Sequence, residues 1–238
     1  MNIVSQLDKF HFQLRQNRWL WYFSIFCRIT LALGFIPAGL TKIMGERFAS
    51  GLSVNHPMGH YLEALHHTSY YYTFIGVAQV LAAILLLIPR TITLGALIYL
   101  PIILNICILS FAVRFEGSHV TAPLMLLANL YILGWNYDRI KFILPFKKNS
   151  DYPFVEKPKK YSNKFPILFF TGVIAAIGLL ILYFIYGHNV MPRNSLIDCK
   201  KQFVNTEHEQ AGIKFCECIH TEGQYLEECL DEYDNNAP

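Results

Sequence analysis

"IGVAQVLAAILLLIPRTITLGALIYLP", residues 75–101, holds one charged side chain, Arg90, between two apolar runs. The runs extend over about 70–89 and 92–113, and each has roughly the 17–25 residues that an α-helix needs to cross the ~30 Å hydrocarbon layer. Two such runs joined by a short basic turn read as two membrane spans folded back on each other.

Three further runs of this kind lie at about 19–43, 119–137 and 166–187. The runs at 92–113 and 166–187 contain no charge at all. Across its 238 residues the chain is 53% hydrophobic and 16% charged, whereas a soluble domain is about a quarter charged. A soluble globular protein is therefore excluded. The first run exceeds the roughly 7–15 residues of a signal-peptide core, and no A-x-A-like cleavage site follows it, so it is an uncleaved first span. The expected fold is all-α and integral to the membrane: a four-helix transmembrane bundle at 19–137, then a fifth transmembrane helix at 166–187.

Lys and Arg near span ends favour the cytoplasm. Lys9, Arg15 and Arg18 precede the first span, and Arg139, Lys141, Lys147, Lys148, Lys157, Lys159, Lys160 and Lys164 follow the fourth. The opposite loops hold Arg47 and Arg114. This places segment 1–18 and a basic, proline-containing linker at 138–165 inside, and the tail at 188–238 outside. The setting implied is a bacterial cytoplasmic (inner) membrane with a periplasmic tail. Trp19, Trp21, Tyr22, Trp135 and Tyr137 mark one interface, and Tyr70–Tyr72 the other.

The tail carries ten acidic residues and four of the six cysteines, Cys199, Cys216, Cys218 and Cys229. A polar exterior segment of about 50 residues buries too little surface to hold itself easily, so an even cysteine count reads as a disulfide framework. A Cys216–Cys218 bond would be strained. That leaves Cys199 joined to either of them and Cys229 to the other. Redox-active thiols, or a metal held by Cys216, Cys218 and His220, are rival readings of "FCECIH". Thr206 and Glu209 stand at capping-box spacing, predicting a helix from about 207, and "GQYLEECLDEY" predicts a second. Cys27 and Cys107, inside spans, are expected to be ordinary buried residues.

Arg28 and Lys42, in the first span, are fourteen residues apart and so share a helix face, about 21 Å from each other along the axis. Gly34, Ala38 and Gly39 lie between them, where a neighbouring helix can approach. An arginine deep in a bilayer needs a partner. The other spans offer Gln79, Asn105 and Asn129, with Asp138 just beyond. A structural arginine locking the bundle, satisfied by carbonyls and amides, is weighed against one that binds a quinone oxygen, an anion or a lipid headgroup. Arg28, Lys42, Gln79 and Asn105 are the candidate ligand-binding residues. In the exterior loop, Pro57 suits the first turn of an amphipathic helix that places His60, Glu63 and His67 on one face, a weak candidate for metal beside a plain solvated face.

The pattern Arg28, Gly39, Lys42, Gly76, Gln79, Arg90, Gly95 and Ala96 resembles the DoxX family of four-helix membrane proteins over about residues 19–140. That family shows an arginine in the first span, a Gly and Lys at its end, a Gly-x-x-Glu element, a short basic turn and a Gly-Ala pair. The resemblance implies a redox- or sulfur-associated membrane subunit, similar to one of thiosulfate:quinone oxidoreductase. Gln79 stands where the family usually has Glu, and an amide cannot ionise.

Two functions follow as expectations. One is a redox-associated membrane subunit holding a quinone or small anion near Arg28, with its chemistry on a partner protein. The other is a non-catalytic scaffold whose stapled tail recruits an exterior protein. The expected partners are the lipid bilayer and an exterior protein rather than nucleic acid. Transport ranks last, because the chain lacks an internal repeat.

Overall fold

The computed structural model describes residues 3–141 and 160–236. Most of the expected basic linker, including Lys147, Lys148, Lys157 and Lys159, lies outside the described residues. Among the described residues the chain is all-helical, with no strand. In order the helices are α1 (Ile3–Arg15), α2 (Arg18–Ile43), α3 (Pro57–His66), α4 (Tyr70–Leu87), α5 (Ile92–Ala112), α6 (Thr121–Trp135), α7 (Tyr137–Ile140), α8 (Ile167–Tyr186), α9 (Leu196–Lys201), α10 (Glu209–Glu217) and α11 (Leu226–Asn236).

Helices α2, α4, α5 and α6 form a ring, with α2 against α4 and α6, and α5 against the same two. Small residues allow this. A methyl group on Gly39 would sit 2.7 Å from the Gly76 carbonyl oxygen, and one on Gly76 would sit 2.7 Å from that of Gly39. The α2 and α4 backbones therefore touch where only glycine fits. Ala82, Ala83 and Ala96 are fully buried beside Leu31, Phe35, Tyr99 and Ile103. The Phe35 and Tyr99 rings stack at 3.6 Å.

Helices α2, α4, α5 and α8 are long and apolar enough to cross a membrane. The expected span at 119–137 is instead a 15-residue helix, α6. It stops because the Asn136 side chain donates back to the Ile132 carbonyl (2.8 Å), after which the chain restarts as the short α7. Helix α8 has no buried residue and meets the bundle through aromatic edges, Phe169 and Phe170 against Phe23 and Tyr183 against Phe111.

The segment before the first span is itself helical. Helix α1 is tied to the end of α6 and to α7 by Arg15–Asp138 (2.8 Å) and Lys141–Asp8 (3.2 Å), and His11 meets the Trp135 carbonyl at 3.1 Å. Beyond α8, the cysteines pair as Cys199–Cys216 and Cys218–Cys229. The two bonds enclose a cluster of Val190, Phe203, Phe215 and Ile219. The expected capping box does not form. The Thr206 hydroxyl donates to the Phe203 carbonyl, Asn205 turns the chain at φ 63°, and α10 starts at Glu209. A third short helix, α9, is capped by Ser195.

Candidate functional site

The guanidinium of Arg28 lies at the C-terminal end of α4. Its Nε donates to the Leu86 carbonyl and its Nη2 to the Leu87 carbonyl, both at 2.7 Å. The last carbonyls of a helix have no partner within it, and a cation there also meets the negative end of the helix dipole. Helix α2 has 26 residues against 18 in α4, a difference of about 12 Å in length. A residue ten positions into α2 is thus level with the end of α4 rather than with its middle. Asp138, considered above as an approach to Arg28, pairs with Arg15 instead.

At the other end of the same seam Lys42 is buried, 6% exposed. Its ammonium donates to the Ala38 carbonyl (3.0 Å) and sits 4.4 Å from the Phe48 ring centroid. Tyr72 closes this corner, donating to the Glu46 carbonyl at 2.9 Å and accepting from the Phe48 amide at 2.8 Å. Gln79 lies beside Gly39, and its Oε1 is buried without a hydrogen-bond partner among the described residues. The fold brings Lys42 and Gln79 to the Gly39–Gly76 crossing and leaves Arg28 nearer the opposite end. Asn105 joins neither group: it is exposed on the outer face of α5. Asn129, not singled out as a ligand, is buried and donates to the Ala96 carbonyl at 3.1 Å.

Helix α3 forms behind Pro57 as expected. Glu63 there pairs with Arg47 (2.8 Å) and with His67 (3.1 Å), while His60 is exposed. No group of three or more His, Cys, Asp or Glu side chains is placed to hold a metal among the described residues.

A second polar constellation joins the tail to the bundle. Arg193 pairs with Glu116 (3.0 Å), Arg114 donates to the Val190 carbonyl (2.8 Å), and the Asn55 amide donates to the His220 carbonyl (2.9 Å). His56 is completely buried here, its Nδ1 accepting from the Met58 amide to cap α3, and its ring is 5.8 Å from that of His220. Burial first, then repulsion from His220, push its pKa down to about 4. His119 lies buried among Phe111, Tyr183 and His188, its ring beside the Ser110 backbone but outside hydrogen-bonding geometry.

Sequence reasoning missed His56, His119 and His188. A signal existed only for His56, the residue before a proline at a helix start, where a side-chain acceptor caps the first turn.

No protein-family model matches the chain, and no solved structure matches it. Over 78 residues it is 42% identical to "Uncharacterized protein YwoB" of Bacillus subtilis (strain 168). The match takes in 33% of this chain and 49% of that protein, so the chain spans about half the length of this relative.

Proposed function

We propose that the chain is a non-catalytic multi-pass membrane scaffold whose bundle holds a disulfide-stapled acidic tail for recognition by an exterior protein. One observation carries this reading: the Arg28 guanidinium is taken up by the Leu86 and Leu87 carbonyls, so the arginine of the first span caps a helix. The ties between tail and bundle, Arg193–Glu116 and Asn55 to His220, support a tail held in place rather than one hanging free. A shallow depression lined by Glu207, His208, Glu209 and Asn236 lies on the tail, and the exposed Glu228 and Glu232 of α11 add negative charge. This surface suits a basic partner.

The topology proposed with it is a cytoplasmic N-terminus, a bundle of four crossings despite the short α6, a fifth crossing by α8 and a periplasmic tail. Arg15, Arg18 and Arg139 at one end, and disulfides that need an oxidising compartment at the other, support that orientation.

The test is co-purification from native membranes of the wild type, the double variant Glu228→Lys/Glu232→Lys, and Arg28→Gln. The expected outcome is a protein partner retained by Arg28→Gln and lost on charge reversal. A partner retained by the charge-reversed protein would sink the scaffold reading.

A second reading, a redox-associated subunit of the DoxX kind holding a quinone, has one observation in its favour. The Gln79 Oε1 is buried, lacks a donor among the described residues and lies on the same seam as Lys42. Stoichiometric quinone in the purified protein, lost on Gln79→Leu, would move the assignment there.

A further inference from the structure

Asn105 differs from the other amides of the spans and from Arg28 and Lys42. Arg28, Lys42 and Asn129 donate to backbone carbonyls, and Gln79 is buried inside the bundle. The exposed hydroxyls of Thr30 and Thr41 donate to carbonyls of their own helix, at Phe26 and Pro37. Asn105 is exposed on the outside of α5, and no side-chain hydrogen bond reaches it among the described residues. It stands roughly 10 Å along the axis from the Ala112 end of a 21-residue apolar helix. An unpaired amide facing hydrocarbon is unfavourable by up to several kcal/mol relative to a paired one.

The face around it is organised. Leu94, Leu97, Pro101, Leu104 and Ile108 are all exposed, and they recur at steps of three, four, three and four residues. That spacing is the seam of a left-handed helix pair. Asn105 borders the seam, about 40° around the helix from Pro101. Helix α8 packs against Phe23 and Tyr131 and, at the end of α5, its Tyr183 meets Phe111, the next position of the seam, while Leu94 to Ile108 stay exposed.

We propose that this face of α5 is a homodimer interface in which the Asn105 amides of two copies hydrogen-bond to each other. Two copies of one membrane protein share an orientation, so a twofold axis along the membrane normal brings both Asn105 side chains to the same depth. An amide carries a donor and an acceptor, so each –NH₂ donates to the other copy's carbonyl oxygen and both are satisfied. A charged or acceptor-only group could not pair with itself in this way. The chemistry of the exposed group thus selects a second copy of this chain as the occupant.

The experiment uses the full chain reconstituted in lipid bilayers, with dimerisation read by single-molecule photobleaching over a range of protein-to-lipid ratios. Wild type and Asn105→Gln, which keeps the amide, should form dimers. Asn105→Leu should weaken dimerisation roughly three- to twentyfold, the range spanned by hydrogen bonds between membrane helices. Asn105→Leu removes only a polar group from a lipid-facing position and should leave the monomer fold intact. In parallel, Ile108→Cys should crosslink between copies on mild oxidation, and Leu130→Cys, on the outer face of α6, should not. A wild type that stays monomeric, or crosslinks through Leu130→Cys instead, overturns the interface. A dimer that crosslinks through Ile108→Cys but is indifferent to Asn105→Leu overturns the role of the amide.

Discussion

The bundle and the tail solve the same problem, holding helices together, by opposite means. In the bundle glycine and alanine bring backbones into contact, and Arg28 reaches from α2 across to the last carbonyls of α4. The tail has helices of only 6, 9 and 11 residues, and two covalent bonds do what its small core cannot. The surroundings explain the difference. Lipid offers no hydrophobic reward for bringing apolar helices together, so close packing and backbone satisfaction decide. A polar segment of tail length has too little interior to fold on burial alone.

The largest expected effect would break the bundle side of this contrast. Gly76→Leu drives a side chain into the Gly39 carbonyl and the Lys42 stem and should destabilise the α2–α4 pair by on the order of 3–5 kcal/mol. Denaturant titration in detergent should register that loss while the tail disulfides stay formed. Bundle stability unchanged by Gly76→Leu would mean that the helices do not meet there.

Replacing Cys218 and Cys229 by serine should act on the tail alone. Removing this staple should lower tail stability by about 2–4 kcal/mol. Limited proteolysis should cut the variant within 196–236 at rates that leave the wild type intact, with α2–α6 still protected. Equal protection of tail and variant would show that the staple is dispensable.

A smaller effect sharpens how the regions are joined. His56 has a folded pKa near 4 against an ordinary 6.5. The separated or unfolded state therefore binds the proton first, so the junction keeps full stability above pH 6.5 and loses it as pH falls towards 4. The loss should reach about 3 kcal/mol by pH 4. Hydrogen exchange at the junction should follow this slope. His56→Asn, which keeps a cap for α3 and cannot titrate, should flatten it.

The smallest effect concerns Arg28. Arg28→Gln should lower bundle stability by about 1–2 kcal/mol, because two carbonyls at the end of α4 lose a charged donor. Arg28→Lys should recover part of it, since an ammonium can meet one carbonyl but not the two together.

Much of the bundle was legible. Apolar runs at 70–89 and 92–113 became α4 and α5 with ends shifted by at most two residues. The fourth run, 119–137, became α6 with two residues fewer at each end, and at its C-terminal end Asn136 closes the helix through a side-chain bond that hydropathy does not register. The position of the Arg28 partner, though not its kind, was missed. Backbone carbonyls were one of the alternatives open for Arg28, but every residue carries one, so the sequence does not single out those of Leu86 and Leu87. The unequal lengths of α2 and α4 were the available clue, since they place residue 28 beside a helix end. His119 and His188 could not be paired in advance, because their meeting depends on where α8 settles against the bundle.

The most direct test of the account is the small-molecule content of wild type and Arg28→Gln, extracted gently from the native membrane and analysed by mass spectrometry alongside their unfolding. The expected result is a less stable Arg28→Gln protein whose bound small molecules match the wild type. One equivalent of a quinone in the wild type, absent from an equally stable Arg28→Gln protein, would contradict it and make Arg28 a ligand-binding residue.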